Sequence, residues 1–139
     1  MDVTKALGIS ASGLSAQRAR MEAIGENLAN TDTTRTATGQ PYRRKTVVVE
    51  SAPAEGAFAG EARAAGVRVR GVAESQEPFR RVHRPDHPHA DADGYVQMPN
   101  VNPVREMTDM LTTTRAYEAN ATAFQATKSM GAKLLELLR

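Results

Sequence analysis

The residues with the most obvious chemistry lie close together: His83, Asp86, His87, His89, Asp91 and Asp93 share one short stretch. Imidazole and carboxylate both ligate zinc and other transition metals, so this density raises a metal-binding loop. The run His89-x-Asp91-x-Asp93-Gly94 also overlaps the opening of a calcium loop. Its first position is His, however, and its twelfth is Asn100 where such loops place a bidentate glutamate. Five of the seven prolines lie between residues 75 and 103. They favour a pinned surface loop whose aspartates bond backbone N–H groups in turns. That reading outweighs metal binding, and no metal or other cofactor is expected.

Other chemistries have less behind them. The chain contains no cysteine, no G-x-S-x-G elbow and no glycine-rich phosphate cradle. Glu22 and Glu26 stand one helical turn apart, which is the pattern of a solvated face. No catalytic residue is expected and the chain reads as a non-enzyme. Arg43, Arg44, Lys45, Arg68, Arg70, Arg80, Arg81 and Arg84 form a basic middle, but only Tyr42 and Phe79 are placed to stack bases among them. Residues 1–34 sum to −1, residues 35–85 to +5 and residues 86–139 to −2. So mild an excess reads as a solvated surface, and nucleic acid is not expected as a partner. A small module binding metal through loop 83–93, or nucleic acid through the basic middle, is the alternative function.

The elements carrying these groups are simple. Residues 100–139 predict one long helix, with Asn102 as N-cap and Pro103 at the first helical position. Met110, Tyr117, Phe124 and Leu138 recur at steps of seven, with Gly131 in register. Met107, Thr114, Ala121 and Leu135 form the expected companion row, with Lys128 in it. Thirty-six residues would span roughly 54 Å, which calls for a long companion. Residues 2–30 predict that companion, capped by Asp2. Leu7, Leu14, Met21 and Leu28 fall at steps of seven, and Val3 and Ile24 add a row interrupted by Ser10 and Gln17. Gly8, Gly13 and Gly25 each cost this helix about 1 kcal/mol relative to alanine, so it depends on partners.

Between the helices, residues 31–40 read as a Thr-rich loop. Tyr42–Glu50 and residues 67–73 read as strands joined by an Ala/Gly-rich connection, with short extended pieces near Phe79–His83 and Tyr95–Met98. The fold class is therefore mainly α. Long N- and C-terminal helices (1–30 and 100–139) pair in coiled-coil fashion, with a small irregular β-rich insert (31–99) between them. No run approaches the ~18 apolar residues of a membrane span. The N-terminus is too polar for a secretory signal. Export, if it occurs, would use no cleaved signal peptide.

Several ordered blocks resemble one known family. Ser10–Leu14 and Asn27–Thr34, within SASGLSAQRARMEAIGENLANTDTTRT, are similar to the signature of bacterial flagellar basal-body rod proteins. The resemblance continues through Pro41–Lys45, Pro78-Phe79, His87-Pro88, Asp91–Val96 and Pro99–Asn102. It closes on Glu106-Met107, Met110, Arg115–Asn120 and Lys128–Met130. It implies a structural subunit of the proximal rod, part of a periplasm-spanning shaft that transmits torque. Its implied partners are other rod proteins, the membrane-ring and export-gate base, hook–basal-body proteins and further copies of itself. Export through the flagellar type III gate, and terminal segments that order on assembly, are also implied. Leu14, Asn27, Asn30, Tyr42, Tyr117, Glu118 and Asn120 carry over from the family pattern as assembly-contact residues. The stripe positions Leu7, Met21, Leu28, Met110 and Phe124 complete the expected assembly interface.

Overall fold

The computed structural model describes residues 3–53 and 64–137. Helix α1 spans Val3–Ala29 and helix α2 spans Pro103–Leu137. Strands β1 (Lys45–Pro53) and β2 (Ala64–Glu74) form one two-stranded sheet. Strands β3 (Arg80–His83) and β4 (Tyr95–Met98) form another, antiparallel, with Val82 opposite Val96. Both helices and all four strands sit within a few residues of where the sequence pattern puts them. The expected Asp2 cap, the Leu138 stripe position and residues 54–63 of the expected connection lie outside the described residues.

Each end of the insert has a local cause. Asn102 Oδ1 accepts from the backbone N–H groups of Val104 and Arg105 at 3.0 and 3.3 Å, the N-cap that starts α2 ahead of Pro103. Helix α1 stops where Asn30 turns back, its amide nitrogen donating to the Glu26 carbonyl at 2.9 Å. Strand β1 begins at Lys45 and not at Tyr42, because the backbone before it is engaged elsewhere. Tyr42 N–H donates to the Thr33 carbonyl and Arg44 N–H to Asn100 Oδ1.

The chain divides into two compact units, one of residues 1–21, 47–71 and 111–139, the other of residues 22–46 and 72–110. In the first, the two helical segments run antiparallel. Val3 meets Gly131, Gly13 meets Asn120, and Thr114 Oγ1 lies 3.9 Å from Met21 Sδ. Small residues set the approach: a Cβ on Gly13 would stand 3.0 Å from Asn120 Nδ2. Strand β2 enters the same unit across Ser12, whose hydroxyl accepts from Val67 N–H at 3.1 Å. Gly66 makes this possible with φ of 133°, and a Cβ there would fall 2.4 Å from Ser12 Oγ.

In the second unit, Ala23, Ile24, Tyr42, Val96, Met98 and Val101 make the apolar core. Asn27 and Glu106 are buried with them, both at 0% exposure.

The inward stripe of α2 differs from the expected one. Met110, Tyr117, Phe124 and Gly131 are half-buried as expected. In the companion row, Thr114 and Ala121 are half-buried, but Met107 and Leu135 are 57% and 70% exposed and Lys128 is exposed too. The other side of the stripe turns inward instead, again at steps of seven: Glu106 and Thr113 are buried, Asn120 and Thr127 half-buried. These side chains are polar, so hydropathy points away from them. Two of them have specific neighbours across the chain, Asn27 and Arg44 for Glu106 and Gly13 for Asn120.

Candidate functional site

The densest constellation of interacting side chains gathers around Asn27, in the second unit. Asn27 sits near the end of α1 with its amide aimed inward. Its Nδ2 donates to the Lys45 carbonyl and to Glu106 Oε2, both at 2.9 Å. Its Oδ1 accepts from Lys45 N–H at 2.8 Å and from the Tyr42 hydroxyl at 3.0 Å. Two donors and two acceptor sites are thus all matched, which is what burying an amide requires.

Glu106, in the first turn of α2, is matched on both oxygens. Oε2 takes the Asn27 amide and Oε1 takes Arg44 Nε at 2.5 Å. The rest of the Arg44 guanidinium reaches Asp109 Oδ2 at 3.2 Å and Thr46 Oγ1 at 3.1 Å. Asn100 holds the same strand end, accepting from Arg44 N–H at 2.7 Å and donating to the Glu77 carbonyl at 3.0 Å. The end of α1, the start of β1, residues 99–102 and the start of α2 are therefore tied through one polar cluster. Burial of the Tyr42 phenol, reinforced by the carboxylates of Glu26, Glu106 and Glu74, pushes its pKa up to about 12. Tyr42 stays a neutral donor throughout the physiological range.

This arrangement is mechanical. Its polar atoms face one another, and Asn27 and Glu106 have no solvent exposure through which a substrate could reach them. The sequence singled out Asn27 and Tyr42 but treated Arg44 as part of a basic run and Glu106 only as a family match. The sequence carried no signal for Glu106, because the helix face it shares with Thr113 and Asn120 is polar throughout.

The other expected interface residues lie as follows. Leu7, Leu14, Met21 and Leu28 are half-buried on one face of α1, and Met110, Tyr117 and Phe124 are half-buried on α2. Asn120 faces Gly13, Asn30 closes α1, and Glu118 is exposed. The cluster joins Asn27 to Tyr42, and nothing else in the set converges on it.

The His/Asp loop is held by its own contacts. Asp91 Oδ1 accepts from the N–H groups of Tyr95 and Asp93, and Arg81 reaches Asp91 Oδ2 at 2.9 Å. The Tyr95 N–H foremost, with Arg81 and the Asp93 N–H, holds the Asp91 carboxyl below the usual range. His87 Nδ1 accepts from His89 N–H at 3.1 Å, and His89 Nδ1 lies 2.8 Å from Thr34 Oγ1. His83 packs edge-on to Tyr95, with ring centres 5.0 Å apart. Among the described residues, no three of these side chains converge as a metal ligand set. Gly94 closes the loop with φ of 76°, where a Cβ would meet His83 Nε2 at 3.1 Å. Five of the eight basic residues of the middle are engaged internally: Arg43 stacks on Phe79, and Arg44 pairs with Glu106, Lys45 with Glu26, Arg68 with Glu50 and Arg81 with Asp91.

Known proteins place this geometry. Residues 7–35 match the family described as Flagella basal body rod protein. Residues 92–137 match the family described as Flagellar basal body rod FlgEFG protein C-terminal. The Bacillus subtilis protein named flagellar basal-body rod protein FlgC is 44% identical over 148 residues, covering 99% of both chains. Its namesake in Escherichia coli O6:H1 is 44% identical over 129 residues, covering 93% of this chain and 92% of that one. The Borreliella burgdorferi protein of that name is 36% identical over 151 residues, covering 100% of this chain and 99% of its own. With such identity sustained from one end to the other, the chain belongs to the FlgC family of flagellar basal-body rod proteins.

Proposed function

We propose that this chain is a structural subunit of the proximal rod, polymerising with other rod proteins into the shaft that crosses the periplasm and transmits torque. The single observation carrying this is the full-length likeness to proteins named for the basal-body rod. The geometry supports it, because the densest constellation of polar side chains fixes the shape of one compact unit. Large apolar side chains on α2 meanwhile stay in solvent: Val104 (72% exposed) with Met107 and Leu111 one and two turns on, and Met130 with Leu134 and Leu137. Positions separated by three and four residues share a helix face. Faces of that kind are completed by a neighbouring helix, and coiled-coil packing of the terminal helices belongs to this reading.

Head-to-tail contacts of unlike surfaces build open helical arrays, since the repeating operation need not close. Burial of the apolar faces offsets the entropy lost when terminal segments order. Leu7, Leu14, Met21, Leu28, Met110, Tyr117 and Phe124 serve assembly as the seam that shapes the helical surface. Asn27, Asn30 and Tyr42 act through the local fold they hold, Asn120 through its fit against Gly13, and Glu118 from the exposed face. The partners are other rod proteins, the membrane-ring and export-gate base, and copies of this chain; the site is the periplasmic rod.

The test is a strain lacking its own copy of the chain, complemented with the full sequence or with a truncation after Met98. Purified basal bodies are expected to contain the full chain and to lack the truncated one. A truncated chain incorporated at the full-length level would refute the role given to α2.

A further inference from the structure

The methionines divide sharply by exposure. Met107 and Met130 are 57% and 58% exposed, whereas Met98 is 2% exposed and Met21 and Met110 are half-buried. Both exposed thioethers lie in the middle or at the edge of an outward apolar face of α2. Met107 falls between Val104 and Leu111, three residues after one and four before the other. Met130 precedes Leu134 and Leu137 by four and seven. An exposed thioether is open to hydrogen peroxide. The sulfur lone pair attacks the outer peroxide oxygen, the O–O bond breaks, and one oxygen passes to sulfur while water leaves. Sulfur is oxidised by two electrons and the peroxide is reduced by two. The product sulfoxide is polar and chiral, and methionine sulfoxide reductases return it to the thioether.

We propose that Met107 and Met130 are peroxide-sensitive modification sites that decide whether a free subunit can be incorporated. The inference rests on the assembly reading above, in which these two faces are covered by neighbouring chains. A sulfoxide on either face places a strong hydrogen-bond acceptor where an apolar contact is to form, and burying it without a donor is unfavourable. An incorporated subunit has the same sulfurs shielded. The device therefore acts on subunits before they join and leaves finished arrays alone.

Two measurements test it. Full-length chain exposed to limiting hydrogen peroxide, then digested and weighed peptide by peptide, should show oxidation at Met107 and Met130 at least about tenfold faster than at Met98, in proportion to exposure. Equal rates at the three positions overturn the site assignment. In complemented cells, Met107→Gln/Met130→Gln, a lasting polar substitute, should enter basal bodies several-fold less than wild type. Met107→Leu/Met130→Leu should lose none of its own incorporation when cells are grown with peroxide, whereas wild type should fall several-fold; an equal fall in both overturns the gate. Full incorporation of the Gln variant overturns the gate while leaving the rod assignment standing. Absence of the wild-type chain from basal bodies overturns both.

Discussion

The two compact units of this chain are held by opposite means. Residues 22–46 and 72–110 close on a buried amide and a buried carboxylate whose hydrogen bonds are all answered within the unit: Asn27, Glu106, Tyr42, Lys45 and Arg44. Residues 1–21, 47–71 and 111–139 close on small residues set against side chains, Gly13 on Asn120, Gly131 on Val3 and Gly66 on Ser12. The first kind of closure is directional and fixes one geometry; a partly matched version would be worse than an apolar one. The second allows close approach but buries little apolar area, and Ile9, Leu111, Met130, Leu134, Leu135 and Leu137 stay exposed around it. The unit of residues 22–46 and 72–110 is fixed from within yet still shows Val104 and Met107 to solvent, and the other leaves more large apolar side chains exposed. For a subunit that must keep its shape and also join others, the division is a working arrangement.

The contrast breaks most severely at Arg44. Arg44→Met leaves the Glu106 carboxylate buried with the Asn27 amide alone, and losing one partner of a buried ion pair costs about 3–5 kcal/mol. Urea unfolding should show that loss, with residues 22–46 and 72–110 losing hydrogen-exchange protection first. A change under about 1 kcal/mol would mean the cluster is not what holds the unit.

Alkali probes the same cluster more gently. Tyr42 has its pKa raised to about 12 in the folded chain, against about 10 in an unfolded one. The folded state thus keeps a proton that the unfolded state releases. The associated stability is whole below pH 10 and falls as pH rises from 10 to 12. The loss should reach about 2–3 kcal/mol. Tyr42→Phe should lack this component when the two pH profiles are subtracted, and superimposable profiles would contradict the burial of the hydroxyl.

The other unit is sharpened by a smaller effect. Gly13→Ala gains about 1 kcal/mol of helix propensity but presses its Cβ on Asn120 Nδ2. In the native background the two should nearly cancel or leave a net loss. With Asn120→Ala the clash is gone and the same substitution should stabilise by about 1 kcal/mol, a coupling that thermal unfolding of the four proteins measures. Additive effects would mean that the helices do not meet at this point.

Much of this was legible before the structure. Steps of seven placed Leu7 to Leu28 and Met110 to Phe124 on inward faces, and Asn102-Pro103 marked the start of α2. A run of β-branched residues marked β1, and Val67 and Val69 alternating with arginine marked β2. The inward polar row of α2 was not legible, because hydropathy points away from Glu106, Thr113, Asn120 and Thr127. The burial of Glu106 depends on partners distant in sequence, and Glu106 and Asn27 are 79 positions apart. The loop at 83–93 was legible as a proline-pinned turn in spite of its residue types. Its histidines and aspartates look like ligands by type, yet Asp91, His87 and His89 bond the backbone and Thr34. Residue type announces what a side chain can do, and only the fold decides which neighbour uses it.

The central claim is that α2 carries faces reserved for neighbouring subunits. It is tested most directly by Leu134→Asp, a residue 52% exposed and outside the buried cluster. The measurement is the amount of variant in purified basal bodies, with hydrogen exchange on the purified variant as the control for its fold. The account predicts unchanged protection across residues 22–46 and 72–110 together with a loss of incorporation. A Leu134→Asp chain found in basal bodies at the wild-type amount would contradict it.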